Sequence, residues 1–286
     1  MIYITGIAGF VGSNLANTLH ELGYPVTGCD NLQFGYAENV TQNIKFDRRG
    51  FEDINIKADV LVHCATVNLI YSQGHEVETF RTNALNTIDL FNRFKGKIIY
   101  TSTASVYGNA KKLPTPEDCT KVTCNSYDQS KLIAEKYLHR RGNYTTLRLS
   151  NVYGKNQHPG HPYSGVIGKF IGRVKKGLPV EIIGDGIDTR DFTYVKDVVS
   201  AIIKAINAPA FNTEINIASG IENSIIKVAH DVHDILGKEF KAEFIEKRSI
   251  DGISRRWLDI EKAKDVLNWQ PEYSLKEGIK DCIDCY

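Results

Sequence analysis

Short apolar runs alternate with amphipathic stretches through the first half of the chain. Met1–Thr5, Pro25–Cys29, Ile44–Asp47, Asp59–Cys64, Lys97–Ser102 and Tyr144–Leu149 are brief and rich in Ile, Val and Tyr. Gly, Asp or Asn bounds them, and the pattern predicts strands. Between several of them, Phe10–Leu22, Thr79–Phe94 and Tyr127–Arg141 place apolar residues at helical spacing. Strands joined by crossover helices build a parallel sheet covered on both faces. The expected class is α/β, a doubly wound parallel sheet, which binds ligands at the carboxyl ends of its strands.

Beyond Leu149 the alternation breaks. Asn151–Gly165 reads as a loop, followed by a helix over Val166–Lys176 and a strand over Val180–Ile183. Helical patterns return at Asp197–Ile206, Ser224–Leu236, Ile260–Leu267 and Leu275–Cys285. No repeat, low-complexity tract or Ser/Gly linker separates the parts. The expected organisation is a first domain over 1–150, with 190–220 returning to it. Residues 151–189 and 221–286 then form a smaller, interleaved C-terminal lobe.

Composition narrows the function classes. The 286 residues are 42% apolar and 24% charged, with a net charge of +1 and no long run of one sign. That is ordinary globular composition, with no basic groove for nucleic acid and no membrane-surface patch. No stretch of about 18 apolar residues predicts a membrane span. The apolar start, Met1 to Gly12, lacks a basic flank and holds three glycines, so it reads as strand and turn and not as a signal peptide. Cys29, Cys64, Cys119, Cys124, Cys282 and Cys285 are expected as free thiols in a cytoplasmic protein. The Cys282/Cys285 CxxC stands alone, with no second pair or His cluster to make a metal site.

Gly6-Ile7-Ala8-Gly9-Phe10-Val11-Gly12 follows the first strand and opens the first helix. Glycines at this point permit a tight turn and close backbone approach to a pyrophosphate. The helix N-terminus adds oriented N–H groups and a positive dipole. Asp30 ends the second strand, 18 residues after Gly12. An acid there accepts from the adenosine ribose hydroxyls and repels a 2′-phosphate, which favours NAD over NADP. The unit is Rossmann-type. Asp47, beyond the third strand, is a candidate for the adenine side, with Arg48 next to it.

Tyr127-Asp128-Gln129-Ser130-Lys131 gives YxxxK at the start of a helix. Residues four apart share one helical face. The Lys131 ammonium can then lower the phenol of Tyr127 from its usual value near 10, as a base at neutral pH requires. The fifth strand ends in Thr101-Ser102-Thr103, whose hydroxyls face the expected crevice. Either Ser102 or Thr103 could bond the reacting oxygen; the other would satisfy strand-end backbone groups.

These residues together resemble the extended short-chain dehydrogenases/reductases acting on nucleotide sugars, the NAD-dependent epimerase/dehydratase group that includes UDP-galactose 4-epimerase. Thr5–Gly12 looks like the family's TGxxGFxG, and Asp30-Asn31 like its strand-two DN. His63-Cys64-Ala65-Thr66 resembles HxAA, Thr101–Gly108 resembles SSSAVYG, and Arg148–Gly154 resembles RxxNVYGP. Gly184–Asp197 is nearly GDGxQxRDFxYVxD, Arg255–Ala263 is similar to RRxxDxSKA, and Leu267–Pro271 to LGWxP. The ordered set runs from Met1 to about Ile283. The chain departs from the pattern in its compressed stretch after Asp30. It also has Ser249-Ile250-Asp251 in place of Pro-Gly-Asp, and Cys64 where Ala or Leu is usual.

The resemblance implies Tyr127 as base, Lys131 as its electrostatic partner and ribose ligand, and Thr103 as the hydroxyl beside the sugar oxygen. It implies that Gly6, Gly9, Phe10, Val11, Gly12, Asp30, Asn31, Asp47, Arg48, Cys64, Ala65 and Asn83 lie against NAD. Asn151, Arg190 and Arg248 would hold the substrate diphosphate, with Arg255 a further candidate. A diphosphate suits the bidentate geometry of arginine. The partner implied is a UDP- or dTDP-linked sugar, and the assembly implied is a homodimer through the helices at Thr79–Phe94 and Tyr127–Arg141.

Family reactions begin or end with hydride exchange at C4 of the sugar. Dehydratases carry Asp-Glu after the catalytic Thr, whereas this chain has Ala104-Ser105; the Glu usual in decarboxylases is absent too. Two readings stay open. A 4-epimerase oxidises C4 and reduces it again on the other face; a 4-ketoreductase reduces an arriving dTDP-4-keto-6-deoxy sugar once. Asp30 and the Ala-Ser pair fit the epimerase better. A non-catalytic NAD sensor on the same fold would be expected to have lost Tyr127 or Lys131, and both are present.

Overall fold

The computed structural model describes residues 1–157, 165–247 and 252–286. Six strands stand where the apolar runs place them: β1 (Ile2–Thr5), β2 (Val26–Cys29), β3 (Phe46–Asp47), β4 (Val60–His63), β5 (Lys97–Thr103) and β6 (Tyr144–Leu149). The later strands are β7 (Val152–Tyr153), β8 (Val180–Ile183), β9 (Thr189–Asp191), β10 (Thr193–Tyr194), β11 (Glu214–Ile217), β12 (Glu222–Ser224) and β13 (Ala242–Ile245). The helices are α1 (Phe10–Glu21), α2 (Glu76–Phe80), α3 (Thr87–Arg93), α4 (Ser126–Arg141), α5 (Val166–Lys175), α6 (Val195–Asn207), α7 (Ile225–Leu236), α8 (Glu261–Leu267) and α9 (Leu275–Cys282).

Seven strands form one parallel sheet in the order β3-β2-β1-β4-β5-β6-β11. This is a Rossmann-type doubly wound sheet. Its connectivity reverses between β1 and β4, and that reversal leaves a crevice at their carboxyl ends. Alternating side chains serve opposite faces. Ile4 packs in one core with Leu15 of α1 and Val198 and Ile202 of α6. Tyr3 packs in the other with Leu90 and Phe91 of α3 and Ala134 and Leu138 of α4.

Short strands β7, β9, β10, β12 and β13 are not expected from the sequence, and two further differences bear on the sheet and the site. The strand β11 is absent from the expectation, because Asn216 sits at the strand's centre and breaks the apolar run. Asn216 is nonetheless fully buried, accepting from the Tyr107 hydroxyl and donating to the carbonyls of Thr115 and Asp259. The helix expected over Thr79–Phe94 starts earlier, at Glu76, and widens into a π-helical stretch, Arg81–Asn86, between α2 and α3. Such widenings commonly mark functional regions.

The C-terminal part docks by polar as well as apolar contacts. Trp269 is buried, and its indole N–H donates to Ser200 Oγ at 2.8 Å on α6. Asp197, at the start of α6, accepts from the backbone of Glu272 and Tyr273. No described helix is long and apolar enough to cross a membrane.

Candidate active site

A cavity of ≈ 410 Å³ lies at the sheet's switch point. Its floor is the glycine turn between β1 and α1. Gly6 has φ +71°, and a Cβ there would stand 2.7 Å from the Ala65 nitrogen. A Cβ on Gly12 would stand 2.0 Å from the Gly6 carbonyl oxygen. Neither position tolerates a side chain, so bare backbone and the open first turn of α1 face the cavity. No side chain caps that helix at Gly9. This cradle fits a pyrophosphate.

Asp30 borders the same cavity and is buried. One carboxylate oxygen accepts from Ala8 N at 2.9 Å, the other from Leu32 N at 2.8 Å. Burial raises its carboxyl above the usual range, and those backbone donors oppose the rise. A carboxylate has about four acceptor positions, so capacity remains for ribose hydroxyls. The residues present therefore fit a dinucleotide.

Further along the wall stand Cys64, Ala65, Thr103, Tyr127, Lys131 and Asn151. Thr103 and Ser102 point to opposite sides of β5. The Thr103 hydroxyl lies close enough to that of Tyr127 to lower the phenol. Ser102 turns inward and donates to Glu135 at 2.5 Å. Lys131 is buried one turn after Tyr127, its ammonium 4.5 Å from the centre of the Tyr100 ring. Burial pulls that ammonium down to about 8, with Cys64 and Glu135 opposing. The Tyr127 hydroxyl is pushed up to about 12, mainly by burial and then by Asp128; the Thr103 hydroxyl and the Arg256 charge oppose this. Burial holds the Cys64 thiol protonated, at about 12.

Beneath these groups lies a buried ion pair. Arg148 and Glu135 meet at 2.6 Å, each side chain 2% exposed. Arg148 also donates to the Tyr107 hydroxyl at 2.9 Å. The pair ties α4, which carries Tyr127 and Lys131, to β5 and β6.

A second cavity of ≈ 240 Å³ adjoins the first through Asn151 and Val152. It is lined by Val166, Ile183, Asp188, Arg190, Phe192 and Ile225 among others. Arg190 donates from its guanidinium to the Thr189 carbonyl at 2.7 Å.

Not every candidate faces these cavities. Asp47 is half-exposed with Arg49 3.5 Å away, and the wall there is built by Arg49 to Glu52 instead of Asp47 and Arg48. Asn83 lies behind the wall. It accepts from Val67 N at 2.8 Å and donates to Val67 O and Ser130 Oγ, holding the loop that lines the cavity. Arg255 is exposed and paired with Glu222 at 2.6 Å. Arg248 lies outside the described residues. The sequence reading missed Phe34, Tyr36, Thr66, Asn156 and Gln157, which also line the larger cavity. Thr66 ends the His63–Thr66 motif without being given a role, and the others sit on loops beyond the last motif residue. It also missed Arg256, whose charge acts on Tyr127.

The family model described as the NAD-dependent epimerase/dehydratase family matches residues 2–218. The chain belongs to that family. Its members' dinucleotide, NAD, is the cofactor of this enzyme. The chain is 32% identical to UDP-glucose 4-epimerase of Mycolicibacterium smegmatis, covering 99% of this chain and 97% of that one. It is also 32% identical to UDP-N-acetyl-alpha-D-glucosaminuronate decarboxylase of Bacillus cytotoxicus, covering 99% and 96%. The structure of UDP-glucose 4-epimerase from Thermotoga maritima with UDP-glucose superposes with a TM-score of 0.94 at 31% identity, over 99% of this chain and 97% of that one. Members of the epimerase/dehydratase family thus share this fold and different outcomes, so the choice of reaction rests on the site.

Proposed function

We propose that the chain is an NAD-dependent 4-epimerase of a UDP-hexose, working by transient oxidation and re-reduction at C4. The observation that carries this reading is the hydroxyl pair Thr103–Tyr127, with Lys131 one turn away and no acid or base in the two residues after Thr103. Ala104 and Ser105 are buried in a tight turn, where Ser105 N donates to Thr103 Oγ1 at 3.1 Å. That turn offers nothing to eliminate water or steer a decarboxylation.

In this reading Tyr127 takes the C4 hydroxyl proton and later returns it. Thr103 holds the reacting oxygen and shares its proton with Tyr127. Lys131, charged below about pH 8, favours the phenolate and bonds the cofactor ribose. Bound NAD supplies the hydride acceptor at C4 and the hydride for the return. Gly6, Gly9 and Gly12 would cradle its pyrophosphate, Asp30 its ribose, and Phe10, Val11, Asn31, Cys64 and Ala65 would pack along it. Asn151, where the two cavities meet, and Arg190, on the wall of the smaller one, would hold the substrate diphosphate with Arg248, leaving the smaller cavity for the nucleotide. The sheet, with residues 1–150 and the returning β11, then forms the cofactor domain. Segments 151–189 and 221–286 form the substrate lobe.

The test is to incubate purified protein, without added cofactor, with UDP-glucose, UDP-galactose and their N-acetyl forms. Proton NMR then follows C4. Appearance of the C4 epimer supports the reading. No epimer from any of them overturns it, and reduction of a dTDP-4-keto-6-deoxy sugar by added NADH would establish a ketoreductase.

A homodimer is part of the proposal. Val77, Leu85 and Ile133 are exposed apolar side chains on the helices α2, α4 and the π-helical stretch. A monomer by sedimentation at micromolar concentration would refute it.

A further inference from the structure

One short segment walls both cavities. Asn151 and Val152 border the two together, Tyr153 lines the smaller one, and Asn156 and Gln157 line the larger. Strand pairing holds only Val152 and Tyr153, against Thr193 and Tyr194 of β10. Around them Asn151, Gly154 and Asn156 adopt φ of +34°, +140° and +67°. Backbone turned this way leaves the ladder, and its polar groups need partners from elsewhere.

Those partners come from two sides. On the cofactor side α1 supplies them. Asn14 Nδ2 donates to the Lys155 carbonyl at 2.8 Å, and Asn156 Nδ2 donates to Ser13 Oγ at 2.9 Å. On the other side stands Tyr286, past α9 and one short 3-10 turn, Ile283–Cys285. Its hydroxyl accepts from Gly154 N at 3.1 Å and donates to Gly154 O at 2.8 Å, with Gln157 Oε1 a second acceptor at 3.2 Å. Gln157 Nε2 donates onward to the Val152 carbonyl at 3.2 Å. A single phenol thus holds both backbone groups of the glycine at the bend. Gly154 is pressed against the far wall, where a Cβ would stand 2.6 Å from Val195 Cγ1 and 2.9 Å from Tyr194 Cε2. Tyr286 is itself tethered. Lys175 Nζ, on α5, donates to the backbone oxygens of Ile283 at 2.6 Å and Tyr286 at 2.9 Å. Burial raises the Tyr286 phenol above its usual value, so the hydroxyl keeps its proton at neutral pH.

We propose that Tyr286 is a positioning residue for substrate binding, whose hydroxyl holds the shared wall Asn151–Gln157 in the shape that accepts the nucleotide diphosphate. The inference rests on the reading of Asn151 and the smaller cavity as the substrate site. It gives a residue behind the wall a part in affinity. Without the clasp the wall takes other shapes, and apparent affinity falls with the fraction that stays competent. Chemistry at C4 belongs to Thr103, Tyr127 and Lys131 on β5 and α4, which the clasp does not touch.

The experiment uses the NAD-loaded enzyme in four forms: unaltered, Tyr286→Phe, Lys175→Met and the double variant. Calorimetry reads the dissociation constant of UDP, and initial rates of epimerisation read KM and kcat. Tyr286→Phe keeps the ring and loses only the hydroxyl. It is expected to raise the UDP dissociation constant and KM together by about three- to tenfold, the scale of one lost hydrogen bond, with kcat held within about twofold. Lys175→Met is expected to weaken UDP binding by less. The double variant is expected to match Tyr286→Phe, because both changes act through one contact. An unmoved UDP constant in Tyr286→Phe would overturn the inference, even with a lowered melting temperature, and so would a fall in kcat at constant KM. Should the unaltered enzyme bind UDP but epimerise no sugar, the epimerase reading fails, while calorimetry still decides the role of Tyr286. No UDP binding by the unaltered enzyme would overturn the substrate-site reading and this inference with it.

Discussion

At the scale of single residues, Tyr127 and Lys131 hold opposite protonation problems. Burial disfavours both charged forms, so the phenol rises and the ammonium falls. Replacing Tyr127 by Phe removes the proton acceptor and leaves the ring. The expected result is a loss of about 10²–10⁴-fold in kcat, with UDP-sugar binding retained by calorimetry. Lys131 carries its charge below about pH 8 and loses it above. The rate is therefore expected to fall on the alkaline side with a midpoint near pH 8, and a flat profile to pH 10 would remove Lys131 from the mechanism. Pairs of adjacent residues show what the sequence could not resolve. Ser102 and Thr103 both offered a hydroxyl, and Arg255 and Arg256 both offered a guanidinium. In extended backbone one of each pair must face away, and periodicity does not say which without knowing what packs on either side.

At the scale of elements, the turn between β1 and α1 admits no added atom at Gly12. A Cβ would overlap the Gly6 carbonyl, which is backbone and cannot rotate aside. Gly12→Ala is expected to yield protein purified without NAD, checked by nucleotide release on denaturation, while the far-ultraviolet spectrum stays native-like. This turn was legible because its chemistry demands glycine at fixed spacing. The YxxxK helix was legible because its charge and spacing coincide. The strand β11 was not, since its buried centre is the polar Asn216, whose partners come from sequence far away. Asn83 was legible as a marked position but not in its task. The π-helical stretch turns it onto the Val67 backbone and Ser130, where it braces the loop instead of lining the cavity.

At the scale of the whole molecule, the Glu135–Arg148 pair joins the helix of the base to the centre of the sheet. Glu135→Ala leaves the buried Arg148 guanidinium with no carboxylate but Glu214, at a longer 3.8 Å, and is expected to destabilise the fold by about 3 kcal/mol, read from chemical denaturation. The position of β11 has a different consequence, one that concerns synthesis. When the ribosome has made residues 1–150, six strands of the sheet exist, but β6 ends it with bare N–H and C=O groups. An uncovered edge recruits other strands. The edge of β6 is paired only when Glu214–Ile217 emerge and align with Thr146–Leu149. At about 5–20 residues per second that interval lasts on the order of seconds. During it β6 stands as the open edge of the nascent sheet.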